Sequence, residues 1–166
     1  MKQQFEFSVP VSVDAVVETY KSTAFFIETM KLAGARTVDI IEEEALADGG
    51  HRWKARITDT TRLPAFLRVS DIVVIVNESE FHPHARKLKF RITPAIPLEL
   101  VRLTGEIQIE EDGDHAKLIY AVNLQVNIPV IGRRTESPGI QIIGKECKKQ
   151  AEFLARHAAG PADPDV

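Results

Sequence analysis

Residues 5–16 read Phe5-Glu6-Phe7-Ser8-Val9-Pro10-Val11-Ser12-Val13-Asp14-Ala15-Val16. Phe5, Phe7 and Val9 alternate with Glu6 and Ser8, the period of a strand with one buried face. Pro10 has no N–H to give to a ladder and ends the strand. Ser12 is placed to cap a helix, with Asp14 near its positive end. Val13, Val16, Val17 and Tyr20 follow at helical spacing. A second short helix is predicted from Ala24 to Ala33, with Phe26, Ile27 and Met30 inward and Gly34 suited to its C-terminal cap.

Beyond residue 36 the period changes to two. Six strands are predicted, over residues 37–46, 51–58, 68–77, 85–93, 100–110 and 116–128. Trp53, Ala55 and Ile57 oppose Arg52, Lys54 and Arg56. Leu88, Phe90 and Ile92 oppose Lys87, Lys89 and Arg91. Leu103, Gly105, Ile107 and Ile109 oppose Arg102, Thr104, Glu106 and Gln108. The stretch 68–77 is apolar on both sides, as in a strand covered on both faces. Connections this short fit an antiparallel meander. The last element is a helix, with Ser137 as N-cap and Pro138 as its first residue. Ile140, Ile143, Gly144, Cys147, Ala151, Leu154 and Ala158 form one stripe at 3.6 spacing. The expected domain is 1–158, with 159–166 a disordered tail.

The 166 residues, 44% of them apolar, amount to one domain. Area scaling buries about 70% of the unfolded surface at this size, a core that needs no disulfide or metal. Twenty-one Lys and Arg against 24 Asp and Glu leave a net charge of −3. A phosphate-binding domain carries a basic excess, so no nucleic-acid partner is expected. The single cysteine, Cys147, forms no internal disulfide and fits a reducing compartment. The N-terminus lacks the apolar run of a signal peptide, and the longest aliphatic run, Ile72 to Val76, is too short to span a bilayer. The expected location is the cytoplasm.

The element order is strand, two short helices, six antiparallel strands and a long C-terminal helix. It resembles the helix-grip fold of the START and birch-pollen-allergen superfamily, also called SRPBCC or polyketide cyclase/lipid transport proteins. Residues 5–16 are similar to that superfamily's usual opening, and the resemblance covers residues 1–158, as in its small uncharacterised bacterial members. It implies an α+β fold, a curved seven-stranded antiparallel sheet wrapped around the C-terminal helix, with a cavity between them for an apolar ligand. Members include lipid and sterol carriers, hormone receptors, aromatase/cyclases, oxygenase domains and chaperone partners. Fold alone does not choose among these.

Two features bear on function. In a meander, alternate loops share one end. Residues 63–67, 94–98 and 128–131 all carry apolar side chains, whereas 48–50, 78–84 and 111–114 are polar. Apolar loops at one end read as a portal, a partner site, a rim for transient membrane contact, or a plug. The small residues Gly144, Cys147 and Ala151 either bring the helix close to the sheet or leave a void. The candidate ligand-binding residues are Phe7, Trp53, Phe66, Phe90, Tyr120, Ile140, Ile143, Cys147 and Leu154.

Tyr120 needs a hydrogen-bond partner if buried. Asp71, in phase with Val73 and Ile75, would be an acid or base if inward. These two are the only catalytic candidates. Cys147 lacks a charged activator and reads as a small core residue. His82-Pro83-His84 reads as a solvent-facing turn, and no metal or other cofactor is expected. The basic strand faces, with Glu106, Glu110 and the Glu42-Glu43-Glu44 run, read as a solvated surface. The first functional expectation is a module that binds or carries a small hydrophobic or amphipathic, lipid- or polyketide-like ligand. The alternatives are a cyclase or dehydratase using the same cavity, and a protein-partner module docking through 63–67, 94–98 and 128–131.

Overall fold

The computed structural model describes residues 1–60, 72–94, 101–130 and 132–160. The elements follow the expected order: β1 (Lys2–Val9), α1 (Val13–Tyr20), α2 (Thr23–Leu32), β2 (Ala35–Ala45), β3 (His51–Thr60), β4 (Ile72–His82), β5 (Lys87–Pro94), β6 (Val101–Asp112), β7 (His115–Val126) and α3 (Gly132–Ala158). The Ser12 cap is the one read from sequence, and Ser22 is a second that the sequence reading did not name. Ser12 accepts the Ala15 N–H at 3.2 Å, and Ser22 accepts that of Phe25 at 3.2 Å. Gly34 takes the positive φ of 109° that ends α2 and turns the chain into β2.

The seven strands form one antiparallel sheet in the order β1-β7-β6-β5-β4-β3-β2. Every neighbour pair is antiparallel. The result is the α+β architecture expected from the sequence. Helices occupy one face. α3 packs on β1 and β7, α2 on β2, and α1 on β6 and β7. The core between them is one cluster, with Trp53, Phe81, Leu118, Tyr120, Ile140 and Leu154 almost wholly enclosed.

The helix stripe lies where its spacing placed it: Ile140, Cys147, Ala151 and Leu154 are buried. Gly144 serves close approach. A Cβ there would stand 2.6 Å from the Phe5 ring, so the absence of a side chain lets β1 come up against the helix.

Three expectations are corrected. First, β4 runs on through His82 instead of ending at residue 77. Asn77, Ser79 and Phe81 alternate inward against Glu78, Glu80 and His82, and the turn narrows to residues 83–86. The outer side of β4 is also not covered by a second layer, since Ile72 is 44% exposed.

Second, α3 starts at Gly132, and Pro138 lies inside it, not at its first residue. Tertiary anchors hold the extra turns. The Glu136 carboxylate accepts the Val126 N–H at 3.1 Å and the N-terminal ammonium at 3.0 Å. Gly132 N–H bonds Ile128 C=O at 2.8 Å. These bonds tie the helix start to the end of β7, so Pro138 removes a donor without setting the boundary.

Third, His82 is not in a free turn. Its Nδ1 lies 2.8 Å from Asp48 and its Nε2 against Glu80, which also binds Arg52. Asp48 and Glu80 hold the imidazole pKa up, and His82 and Arg52 hold the two carboxyls down.

The segments 61–71, 95–100 and residue 131 lie outside the described residues, and with them Phe66, Asp71, the whole of loop 63–67 and residues 95–98 of loop 94–98. The strand ends that flank these loops do meet. Thr60 pairs with Ile72, Ile75 with Pro94, and Val101 with Val126. The ends of β3, β5 and β7 and the starts of β4 and β6 therefore share one end of the sheet. The tail from 161 onward also lies outside the described residues.

Two predictions follow from the packing. Leu154→Ala, at a site 1% exposed, lowers unfolding free energy by about 2–5 kcal/mol in urea melts. The His82 cluster gives a pH signature. A raised histidine pKa contributes stability that is complete below about pH 6.5 and fades as pH rises through the folded value. The lowered carboxyls contribute above about pH 4.3 and fade as pH falls. Thermal melts from pH 6 to 9 should decline less steeply for His82→Gln than for the unaltered protein.

Candidate functional site

Among the described residues, no helix packs on the middle strand of the sheet. β5 is fourth of seven, yet none of its side chains is fully buried. Leu88, Phe90 and Ile92 point to the helical face and stay half-exposed. The reason is geometric. α3 rests on β1 and β7 at one edge and α2 on β2 at the other. A helix is about 10 Å across and neighbouring strands are about 4.8 Å apart, so one helix covers two or three strands. A cavity of about 230 Å³ remains over the centre.

Its floor is Asn77 and Ser79 of β4, Phe90 of β5, and Leu103 and Ile107 of β6. Trp53 and Tyr120 close the floor on either side. Tyr20 of α1 and Phe25, Phe26 and Met30 of α2 form one wall, and Ile143 and Cys147 of α3 the other. Ile142, Glu146 and Gln150 reach it from the outward flank of α3. Ile142 is 56% exposed, so the cavity opens there.

Of the residues predicted from sequence, Trp53, Phe90, Tyr120, Ile143 and Cys147 line this space together. Phe7, Ile140 and Leu154 do not. Phe7 supports the site from behind, its ring edge-on to Tyr120 at 5.7 Å between centroids. Ile140 and Leu154 face inward on α3 but are spent in close packing, each 1% exposed.

Several lining residues were not predicted as site residues. Asn77 and Ser79 are polar at inward positions, so the continued alternation of β4 through them reads as a loop in the sequence. Tyr20 and Phe25 carry no signal, because helix spacing marks a residue as inward without saying what lies opposite. Glu146 and Gln150 stand one turn along α3 from Ile142 and Glu146 respectively, a spacing that marks the flank but not an opening.

The walls are flat and aromatic. Phe26 stacks on Trp53 with planes 4° apart and centroids at 5.2 Å. Trp53 is fixed by its Nε1–H, which donates to Thr23 Oγ1 at 2.9 Å. Phe25 stacks on Phe153 at 5.5 Å. The Phe90 ring lies over Gly105, where a Cβ would come within 2.7 Å of it. Gly105 thus sets the depth of the floor.

Polar atoms are few and badly matched. Among the described residues, the Tyr120 hydroxyl is the one buried side-chain polar atom without a hydrogen bond of normal geometry, and the Tyr20 phenol is the polar group beside it. Leaving such a group unpaired costs about 1–3 kcal/mol. Burial, followed by the proximity of the Tyr20 phenol and the Cys147 thiol, keeps Tyr120 well above its ordinary pKa. It is therefore a neutral hydroxyl, able to donate and unable to act as a base near neutrality.

Asn77 is almost as constrained. Its Oδ1 accepts Ser79 Oγ–H at 2.7 Å, while its Nδ2 finds only the Met30 thioether at 3.3 Å, a weak acceptor. Burial pushes the Cys147 thiol up to about 12, which leaves it protonated and unreactive. Among the described residues no three His, Cys, Asp or Glu side chains gather as metal ligands do.

The opposite face of the sheet has a wider, open depression of about 830 Å³. It is a lattice of opposite charges. Arg52 bridges Glu44 and Glu80 at 2.8 Å each, Lys54 faces Glu42 and Glu78, and Lys87 meets Glu106 at 3.1 Å. Such exposed pairs suit a solvated surface. No helix among the described residues is long and apolar enough to cross a membrane.

The architecture recurs in solved structures. Norcoclaurine synthase from Thalictrum flavum superposes with a TM-score of 0.67 at 15% identity, covering 97% of this chain and 87% of its own. The di-domain ARO/CYC BexL from the BE-7585A biosynthetic pathway gives 0.67 at 14% identity, over 97% of this chain and 48% of its own. A START superfamily protein from Mycobacterium smegmatis gives 0.64 at 11% identity, over 94% and 97%. The fold is the helix-grip fold of the START and birch-pollen-allergen superfamily. At these identities the likeness extends to the fold alone. No curated protein matches the chain. A family model described as "Protein of unknown function (DUF2505)" matches residues 4–157. The chain belongs to the DUF2505 family.

Proposed function

We propose that this protein binds a small hydrophobic or amphipathic molecule in the cavity over β5. The observation that carries this reading is the uncovered centre of the sheet. Leu88, Phe90 and Ile92 are apolar, face the helices, and have no helix of their own to pack on. Leaving apolar surface without cover forfeits about 25 cal/mol per Å². A ligand seated there recovers that loss. An enclosed apolar space with a few placed polar groups is the usual form of a small-molecule site.

Structural neighbours are compatible with this reading and with the cyclase alternative. One is a START superfamily protein, another an ARO/CYC and a third norcoclaurine synthase. The binding reading is favoured over the cyclase or dehydratase reading by the chemistry of the lining. An acid–base step needs one group that gives a proton and one that takes it. Tyr120 and Cys147 are both held protonated, and Glu146 is paired with Lys149 at 3.0 Å. The alternative of a partner docked through 63–67, 94–98 and 128–131 is supported by Val130, which is 94% exposed, while 63–67, 95–98 and 131 lie outside the described residues. The unpaired, buried Cys147 suits a reducing cytoplasm.

Trp53, the only tryptophan in the chain, lines the cavity and reports on its contents. Titration with neutral bicyclic aromatics should quench or shift its emission saturably. Ile143→Glu, which puts a charge into the apolar wall, should weaken binding at least tenfold with the circular dichroism spectrum unchanged. Saturable binding that is indifferent to Ile143→Glu, or no Trp53 response to any member of the panel, would overturn the proposal.

A further inference from the structure

The lining divides into groups that a ligand can touch and groups that are sealed behind them. That division narrows the ligand class, an inference that rests on the binding reading above. We propose that the cavity takes a molecule that is polar at one end only: a frame of about ten carbons held inside without a hydrogen bond, its polar end at the mouth beside Ile142, Glu146 and Gln150.

Size sets the frame. An apolar cavity of about 150 Å³ holds benzene, six carbons. In proportion, the 230 Å³ here holds about nine or ten non-hydrogen atoms. A long acyl chain or a sterol exceeds it and would have to protrude past Ile142.

The interior offers apolar contact. Met30, Leu88, Phe90, Ile92, Leu103 and Ile143 line it and stay half-exposed. The polar residues of the lining are shut away from it. Tyr120, Asn77, Ser79 and Cys147 are all buried, the most open of them at 6%. Their hydrogens are turned to the protein itself. Thr29 donates to Phe25 C=O at 2.9 Å and Ser79 to Asn77 Oδ1 at 2.7 Å, while Asn77 Nδ2 meets the Met30 sulfur. The Tyr20 and Tyr120 phenols lie beside each other, and burial pushes both pKa values up. A polar ligand atom driven into this space would give up water and gain no partner, and an ion would fare worse.

The mouth differs. Gln150 is half-buried there, and its amide both donates and accepts. Glu146, paired with Lys149 at 3.0 Å, stands one turn before it on the same flank of α3. Ile142, one turn further back, is open to solvent. A polar group at this end of a ligand keeps water and polar neighbours while the rest of the frame is buried.

The test uses three probes with one ring frame: naphthalene, 2-naphthol and 2,6-dihydroxynaphthalene. A single hydroxyl can be turned to the mouth. Two at opposite ends cannot, so the diol must bury one of them unpaired. Dissociation constants are measured by calorimetry on the unaltered protein and on Tyr120→Phe, with circular dichroism confirming the fold of the variant. The expected result is that naphthalene and 2-naphthol bind within about threefold of each other and the diol about tenfold or more weakly than 2-naphthol. Tyr120→Phe should leave all three constants unchanged, because its hydroxyl is not presented to the ligand. A diol that binds as tightly as 2-naphthol, a 2-naphthol tenfold weaker than naphthalene, or a loss of affinity in Tyr120→Phe overturns the one-ended assignment and leaves the binding reading standing. Failure of all three probes overturns that assignment alone if other bicyclic aromatics still shift Trp53 emission, and overturns both readings if none does.

Discussion

One helix cannot cover seven strands, and most of the structure's character follows from that mismatch. α3 is 27 residues, about 40 Å long, enough to run the length of the sheet. Its width is the limit. It settles on β1 and β7, where Gly144 lets the Phe5 ring come against the helix backbone. α2 settles at the far edge, on β2. Close packing is thus complete at the two flanks and incomplete at the centre, over β5. In an ordinary interior such a gap would be closed by collapse or by larger side chains. Here the neighbours resist collapse. Phe26 and Trp53 brace each other by stacking, Trp53 is pinned by Thr23, and Glu136 ties the start of α3 to the end of β7 and to the N-terminus.

The same constraint explains the odd chemistry of the lining. A core that packed fully would place Tyr120 where its hydroxyl met a carbonyl or a side chain. In this core the hydroxyl is fully enclosed, with the Tyr20 phenol and the Cys147 thiol as its polar neighbours and no hydrogen bond of normal geometry. Asn77, on a strand at the other side of the cavity, has a similar deficit. Two poorly satisfied donors in one apolar cavity make a consistent pattern. A stable fold tolerates them because the rest of the core, from Leu118 to Leu154, is tightly enclosed. The outer face contributes in a different way. Its alternating acidic and basic strands pair across the sheet, which favours this register.

Much of this was legible in the residues. The alternation of Phe5, Phe7 and Val9, the Pro10 stop and the Ser12 cap set the opening of the chain, and the C-terminal stripe set the buried side of α3. The parts that were not legible share a cause. The start of α3 depends on Glu136 reaching Val126 and Met1, contacts more than a helical turn away that overrule a local proline signal. The extension of β4 depends on tolerating Asn77 and Ser79 inside, which reads as a loop until the cavity gives them a place. The split of the α3 stripe is the clearest case. Ile140, Cys147 and Leu154 are equivalent by spacing, yet only Cys147 lines the cavity, because lining depends on where the helix stops covering the sheet. Periodicity assigns a face and leaves open what lies across from it.

The central claim is that the space over β5 is a binding site and not a packing fault. Native and denaturing mass spectrometry on the protein purified without added ligand tests it most directly. The account predicts a bound mass of a small neutral molecule in the native spectrum that disappears on denaturation, and that is also missing from a variant whose cavity is filled by Cys147→Phe. A native mass equal to the bare chain, unchanged after exposure to a broad panel of bicyclic aromatic compounds, would contradict it.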